Sequence, residues 1–156
     1  MDKFWRTIRI VGALAACVVA GVLLGNAQRN RAHNVARTYV QVVIEQAIED
    51  AAADAESYAA TENGLRVYYV NAAADMAAVK DLLAKCKPVH EDVESKPVDR
   101  AVVVGGLDIG YMGGGNGEGM LYRLPVAEEL GEAQIFVLPE KYNDPLWALL
   151  DALPVR

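Results

Sequence analysis

The twenty residues from Gly105 to Leu124, GGLDIGYMGGGNGEGMLYRL, are the first place to look for chemistry. Seven of the chain's thirteen glycines fall between Gly106 and Gly119. A glycine-rich turn can cradle a phosphate when it opens a helix, because its backbone N–H groups and the helix N-terminus then point at the anion. A Walker-type loop also needs a Lys followed by Ser or Thr, and no lysine occurs between Arg100 and Glu140. The dinucleotide fingerprint Gly-x-Gly-x-x-Gly starts at Gly113 and Gly115 but fails at Glu118. The next residues, MLYRLP, read as a strand ending at a proline and not as a helix. Folded back on itself, the stretch pairs Asp108 with Arg123, Ile109 with Tyr122, Gly110 with Leu121 and Tyr111 with Met120. That register gathers Leu107, Ile109, Tyr111, Met120, Tyr122 and Leu124 on one face and sets an Asp108–Arg123 ion pair on the other. The expectation is a β-hairpin with Gly113, Gly114, Gly115, Asn116, Gly117 and Glu118 as its tip and candidate interaction loop.

Other reactive residue types are sparse. Cys86 and His90, with Glu91 and Asp92 beside them, offer soft and hard donors, but one Cys and one His fall short of a four-ligand site. His33 is the only other histidine, and Ser57 and Ser95 are the only serines, neither in a nucleophile-elbow context. Glu45, Glu49, Asp50, Asp54 and Glu56 fall mostly off an apolar helical stripe and read as a solvated face, not as paired catalytic carboxylates. No catalytic residue, cofactor or metal is expected. The competing reading is a small tethered enzyme or ligand-binding domain that uses the Gly113–Glu118 loop with Asp108, His90 or Cys86.

The elements that would position these residues begin with an apolar run. Ile10 to Leu24 is fifteen residues without a charge. As a helix it spans roughly 22 Å, less than a hydrocarbon core of about 30 Å. Phe4, Trp5 and Ile8, with snorkelling Arg6 and Arg9, extend it towards the headgroups. Ala13, Cys17, Gly21 and Gly25 recur every four residues, a small-residue face of the kind along which membrane helices pair. Gln28-Arg29-Asn30-Arg31 comes immediately after, which suits a retained anchor better than a fresh N-terminus. Cleavage after Ala27, releasing a secreted domain, is the alternative. Three basic residues flank each side of the run, and the short N-terminal tail favours an extracytoplasmic head.

No Gly or Pro occurs from Asn26 to Ala60, so the helix is expected to continue to Ala60, with Val40, Ile44, Ala47, Ala51, Ala55 and Tyr58 as its stripe. Beyond it, LRVYYV (65–70), AVVVG (101–105) and QIFVL (134–138) read as strands, and 72–86 as a helix. Lys87 to Arg100 reads as a surface loop, and Pro125 to Gly131 as a turn or two of helix. Asp144-Pro145 reads as the start of a last helix reaching Leu153. The fold class is α+β, or small α/β. It has an anchor (1–27), a juxtamembrane helix (28–60) and a head of about four strands (61–156). From Thr38 on there are nine Lys/Arg against twenty Asp/Glu, a balance of −11, which argues against nucleic acid. The partners expected are the lipid bilayer and a second copy or other membrane-complex subunits. The function expected is a single-pass assembly or interaction subunit of an envelope or a virus particle.

Overall fold

The first helix, α1 (Asp2–Asp50), stops ten residues short of the expected Ala60. A computed structural model describes residues 2–89, 97–113, 121–124 and 134–156; for 2–16, 121, 122 and 124 it gives the backbone alone. The chain divides into two compact units, Met1–Ala32 and His33–Arg156. In the first unit α1 leaves Val18, Val19, Val22, Leu23 and Leu24 exposed. Among the described residues no helix is long and apolar enough to cross a membrane.

In the second unit the remainder of α1 belongs to the head. Its buried stripe is His33, Ala36, Val40 and Ile44, with steps of three, four and four that keep one face inward. Glu45, Glu49 and Asp50 lie on the exposed side as expected, Glu45 pairing with Lys80 at 3.5 Å. Nothing in AAADAESYAA breaks a helix by propensity; tertiary bonds break it. Ser57 is buried, and its Oγ accepts from the N–H groups of Asn71 at 3.1 Å and Ala72 at 3.0 Å. This supplies the N-terminal cap that α2 (Ala73–Leu83) lacks from its own Ala72. The chain from Tyr58 is thereby committed to a strand.

That strand, β1 (Tyr58–Glu62), pairs antiparallel with β2 (Leu65–Val70) across Asn63-Gly64, both with positive φ. Two left-handed residues in a two-residue loop match the right-handed strand twist, which is why Asn-Gly stands there. β2 lies parallel to β4 (Val98–Val104), with α2 and the two-residue β3 (Lys87–Pro88) between them in sequence. The expected loop from Lys87 to Arg100 therefore contains strand at both ends. From β4 the chain meanders antiparallel through β5 (Leu107–Met112), β6 (Leu121–Leu124) and β7 (Gln134–Val137). Among the described residues the sheet has seven strands in the order β1-β2-β4-β5-β6-β7-β3. α3 (Glu140–Asp151) starts five residues before Pro145, the residue expected to open it. The fold is α+β. Residues 125–131, expected as helical turns, lie outside the described residues.

One apolar cluster joins the inward residues of α1, α2 and α3 to a single face of the sheet. Val40 and Ile44 of α1, Met76, Val79 and Leu83 of α2, and Leu146, Trp147 and Leu150 of α3 meet Tyr68, Val70, Val102, Val104, Ile109, Tyr111 and Phe136 there. Each large side chain buried this way contributes about 1.5–3 kcal/mol, the driving force for laying the helices on the sheet.

Candidate functional site

The glycine stretch spans two connections. Gly105 and Gly106 have φ of 56° and 85° and close the β4–β5 hairpin, Val104 facing Leu107. The second connection lies between Met112 and Leu121. The hairpin it closes exists, but its register is corrected by two residues: Gly110 faces Arg123, Tyr111 faces Tyr122 and Met112 faces Leu121. A slip of two keeps every residue on its face, so Leu107, Ile109 and Tyr111 point into the core as expected. It removes the Asp108–Arg123 pairing, and Asp108 sits exposed opposite Val103.

Two local features fit the observed register. With no side chain at Gly110, Arg123 and Val98 close over that position; an added Cβ there would lie 3.6 Å from Arg123 Cβ and 3.2 Å from Val98 Cγ2. In addition, β4 bulges between Val98 and Arg100, the kind of irregularity that re-aims a side chain. The bulged residue, Asp99, accepts the Gly113 N–H through Oδ2 at 2.9 Å, so the first tip residue is held by a carboxylate. Gly114, Gly115, Asn116, Gly117 and Glu118 lie outside the described residues, as do His90, Glu91 and Asp92.

The face of the sheet opposite the helices forms an open groove of about 660 Å³. Val67, Ala101 and Val103 make its apolar floor, and Leu65 and Tyr69 flank it. Glu62, Asp99 and Asp108 stand on its rim, and no Lys or Arg lines it among the described residues. Strand alternation produces this face: the odd residues of β2 and the odd residues of β4 near its centre point away from the core. Tyr69 stacks on Tyr58, the ring centroids 4.9 Å apart, and its hydroxyl donates to Glu62 Oε1 at 2.5 Å. That bond, with loss of solvation and the charges of Glu62 and Asp108, pushes the Tyr69 phenol up to about 12. Among the described residues the groove thus sets an apolar floor beside three carboxylates.

Cys86 is free and buried beside the core, and burial pushes its thiol up to about 12 against the opposing pull of Arg37. It is packed among the buried residues of the core. Both Cys86 and Tyr69 hold their protons more tightly folded than unfolded. Their contribution to stability is complete below pH 9 and is lost as pH rises from about 9 to about 12. The head should accordingly unfold at lower urea concentration as pH rises through that window, and Glu62→Gln should remove part of the slope. A flat profile would contradict these environments.

Of the residues expected on the helix-pairing face, Cys17 is exposed, and a Cβ added at Gly21 or Gly25 meets nothing within 4 Å. Ala13 lies in α1 where only the backbone is described. No group of three or more metal-ligating side chains is found among the described residues. Sequence reading passed over Glu62 and Asp99 as rim groups, because their approach depends on the Asn63-Gly64 hairpin and on the bulge. Comparisons with protein-family models, with curated proteins and with solved structures find no match.

Proposed function

We propose that this protein is a membrane-tethered interaction subunit: α1 holds it in a bilayer through Ile10–Leu24, and the acidic head presents its uncovered sheet face to a partner. The observation that carries the reading is the exposure of Val18, Val19, Val22, Leu23 and Leu24, between 57% and 65% accessible each. Five aliphatic side chains spread around one stretch of helix favour an apolar surrounding. The apolar run is short for a spanning helix, and the flanking aromatic and arginine residues supply the remaining length at the interface. The groove supports the second half of the reading. An apolar floor with three rim carboxylates suits a cationic segment of a protein partner, whose aliphatic stems would cover Val67, Ala101 and Val103.

Within the bilayer, Cys17, Gly21 and Gly25 would form the contact between two copies, since small residues let helix backbones approach. Replacing Gly21 and Gly25 by Leu should then reduce oxidative Cys17–Cys17 crosslinking in membranes by a large factor while leaving membrane retention unchanged. Equal crosslinking in the parent and the double variant would rule out pairing through this face. The tether itself is tested by intact mass and alkaline carbonate extraction of membranes. The reading requires a membrane-retained chain that keeps residues 1–27, and a soluble chain beginning at Gln28 would overturn it.

A further inference from the structure

The helix-covered face of the sheet holds two half-buried cations side by side. Arg66 and Arg100 are partners in the parallel β2–β4 ladder, so their side chains leave the same face about 4.8 Å apart. Both converge on one phenol. Arg66 Cζ lies 5.4 Å from the centroid of the Tyr68 ring, and Arg100 Nη1 donates to the Tyr68 hydroxyl at 3.3 Å. The Arg100 guanidinium also stacks on Trp147, with its Cζ 4.5 Å from the ring. Stacking fixes each planar group and leaves its N–H edges free to bond in the plane.

The nearby carboxylate, Asp151, lies at the same phenol. Tyr68 donates its proton to Asp151 Oδ1 at 2.6 Å, which holds that acid at the phenol. Burial, then this bond, raises the Tyr68 pKa, so the phenol stays protonated. Neither Arg66 nor Arg100 forms an ion pair among the described residues, and Arg66 Nε is buried there without a partner. Placing like charges side by side costs free energy in a sheet. The carbonyl end of α3, whose last turn carries no basic residue, supplies about half a negative charge nearby. Together with Asp151 it offsets part of the charge of the two guanidinium groups.

We propose that Arg66 and Arg100 form a binding site for a phosphoryl group. A dianion with several acceptor oxygens matches two forked donors, whereas a single carboxylate would occupy one of them. Tyr68 and Trp147 orient the donors, and the Tyr68–Asp151 bond engages one oxygen of the nearby carboxylate. The phosphoryl group is carried by a free monoester or by a lipid headgroup. The site lies on the opposite face of the sheet from the acidic groove and does not depend on the role proposed for it.

The test uses the full chain in maltoside micelles, titrated with inorganic phosphate and glycerol phosphate against chloride at matched ionic strength. Thermal unfolding and tryptophan fluorescence are followed. The expected result is a saturable stabilisation by phosphate, with affinity weakened about tenfold or more in Arg66→Gln and in Arg100→Gln. Arg66→Lys and Arg100→Lys, which keep the charge but lose the fork, should fall between. They also serve if the Gln variants do not fold. A second arm compares phosphatidic acid with phosphatidylcholine in vesicles carrying the chain. Stabilisation by phosphatidic acid that both Lys variants weaken, without a response to the soluble monoesters, assigns the lipid source. A response to neither source, or one that all the variants retain in full, overturns the proposal.

Discussion

Replacing Phe136 with alanine is expected to cost about 3–5 kcal/mol, enough to unfold much of the population of a small domain. Phe136 is fully buried at the centre of β7. It is the point at which three parts of the head meet. The His33 ring packs edge-on against it at 5.4 Å, and the Arg37 guanidinium carbon lies 5.8 Å from its centroid, both from α1. Along the sheet it is paired with Pro88 of β3 on one side and with Tyr122 of β6 on the other. Truncation would leave a cavity that neither the strand nor α1 can collapse to fill, because each is held by its own ladder or helix bonds. Urea unfolding of the full chain in micelles, followed by near-ultraviolet circular dichroism, measures the loss. Val42→Ala, on the exposed side of the same stretch of α1, is the control and should stay within about 0.5 kcal/mol of the parent. Comparable losses in the two variants would mean that α1 does not pack on the head through the His33, Ala36, Val40 and Ile44 stripe.

Gly105→Ala should come close to that in severity, for a different reason. A Cβ at Gly105 would stand 2.2 Å from Ala47 Cβ and 3.2 Å from Met76 Sδ, and the residue holds φ at 56°. The left-handed conformation costs a non-glycine residue about 1–2 kcal/mol, and overpacking a tight contact costs about 1–3 kcal/mol more. Because the clash is with one methyl group, Ala47→Gly should relieve part of it. The double variant should therefore be more stable than the sum of the two single losses predicts, even though glycine in a helix costs about 1 kcal/mol by itself. Strict additivity would show that the β4–β5 turn and α1 do not touch. At neighbouring Gly106, where an added Cβ meets nothing within 4 Å, only the backbone cost applies.

These two residues illustrate how much of the architecture could be read from the chain. QIFVL declared a strand through its β-branched and aromatic content. The turn at Gly105-Gly106 was equally open to reading, as two glycines between Val104 and Leu107. What obscured it was the larger glycine cluster downstream, which drew both turns into one. The reading of α1 failed at Asp50 for a non-local reason. Ala51 to Ala60 has every local preference for helix, and only the bonds from Asn71 and Ala72 to Ser57, with the Asn63-Gly64 turn, recruit it into the sheet. Asn-Gly between two runs of strand-forming residues was a hairpin signal that the surrounding alanines masked.

The candidate sites were less legible. A register shifted by two residues preserves all alternation, so apolar patterning could not choose between Arg123 opposite Asp108 and Arg123 opposite Gly110. The bulge at Asp99 leaves no mark in composition. Arg66 and Arg100 lie thirty-four positions apart and meet only because β2 and β4 are parallel neighbours. Pairings across a crossover are invisible to periodicity, and the charges that such pairings bring together are invisible with them.

Membrane tethering requires that the exposed aliphatic residues of α1 belong in a bilayer. Flotation of the full chain with phosphatidylcholine vesicles tests this most directly, with Val19→Glu/Leu23→Glu as the matched variant. The parent is predicted to rise with the vesicles and remain with them after a carbonate wash, while the double variant stays at the bottom of the gradient with its head folded. A parent chain that stays at the bottom, soluble and monomeric without lipid or detergent, would contradict the tether.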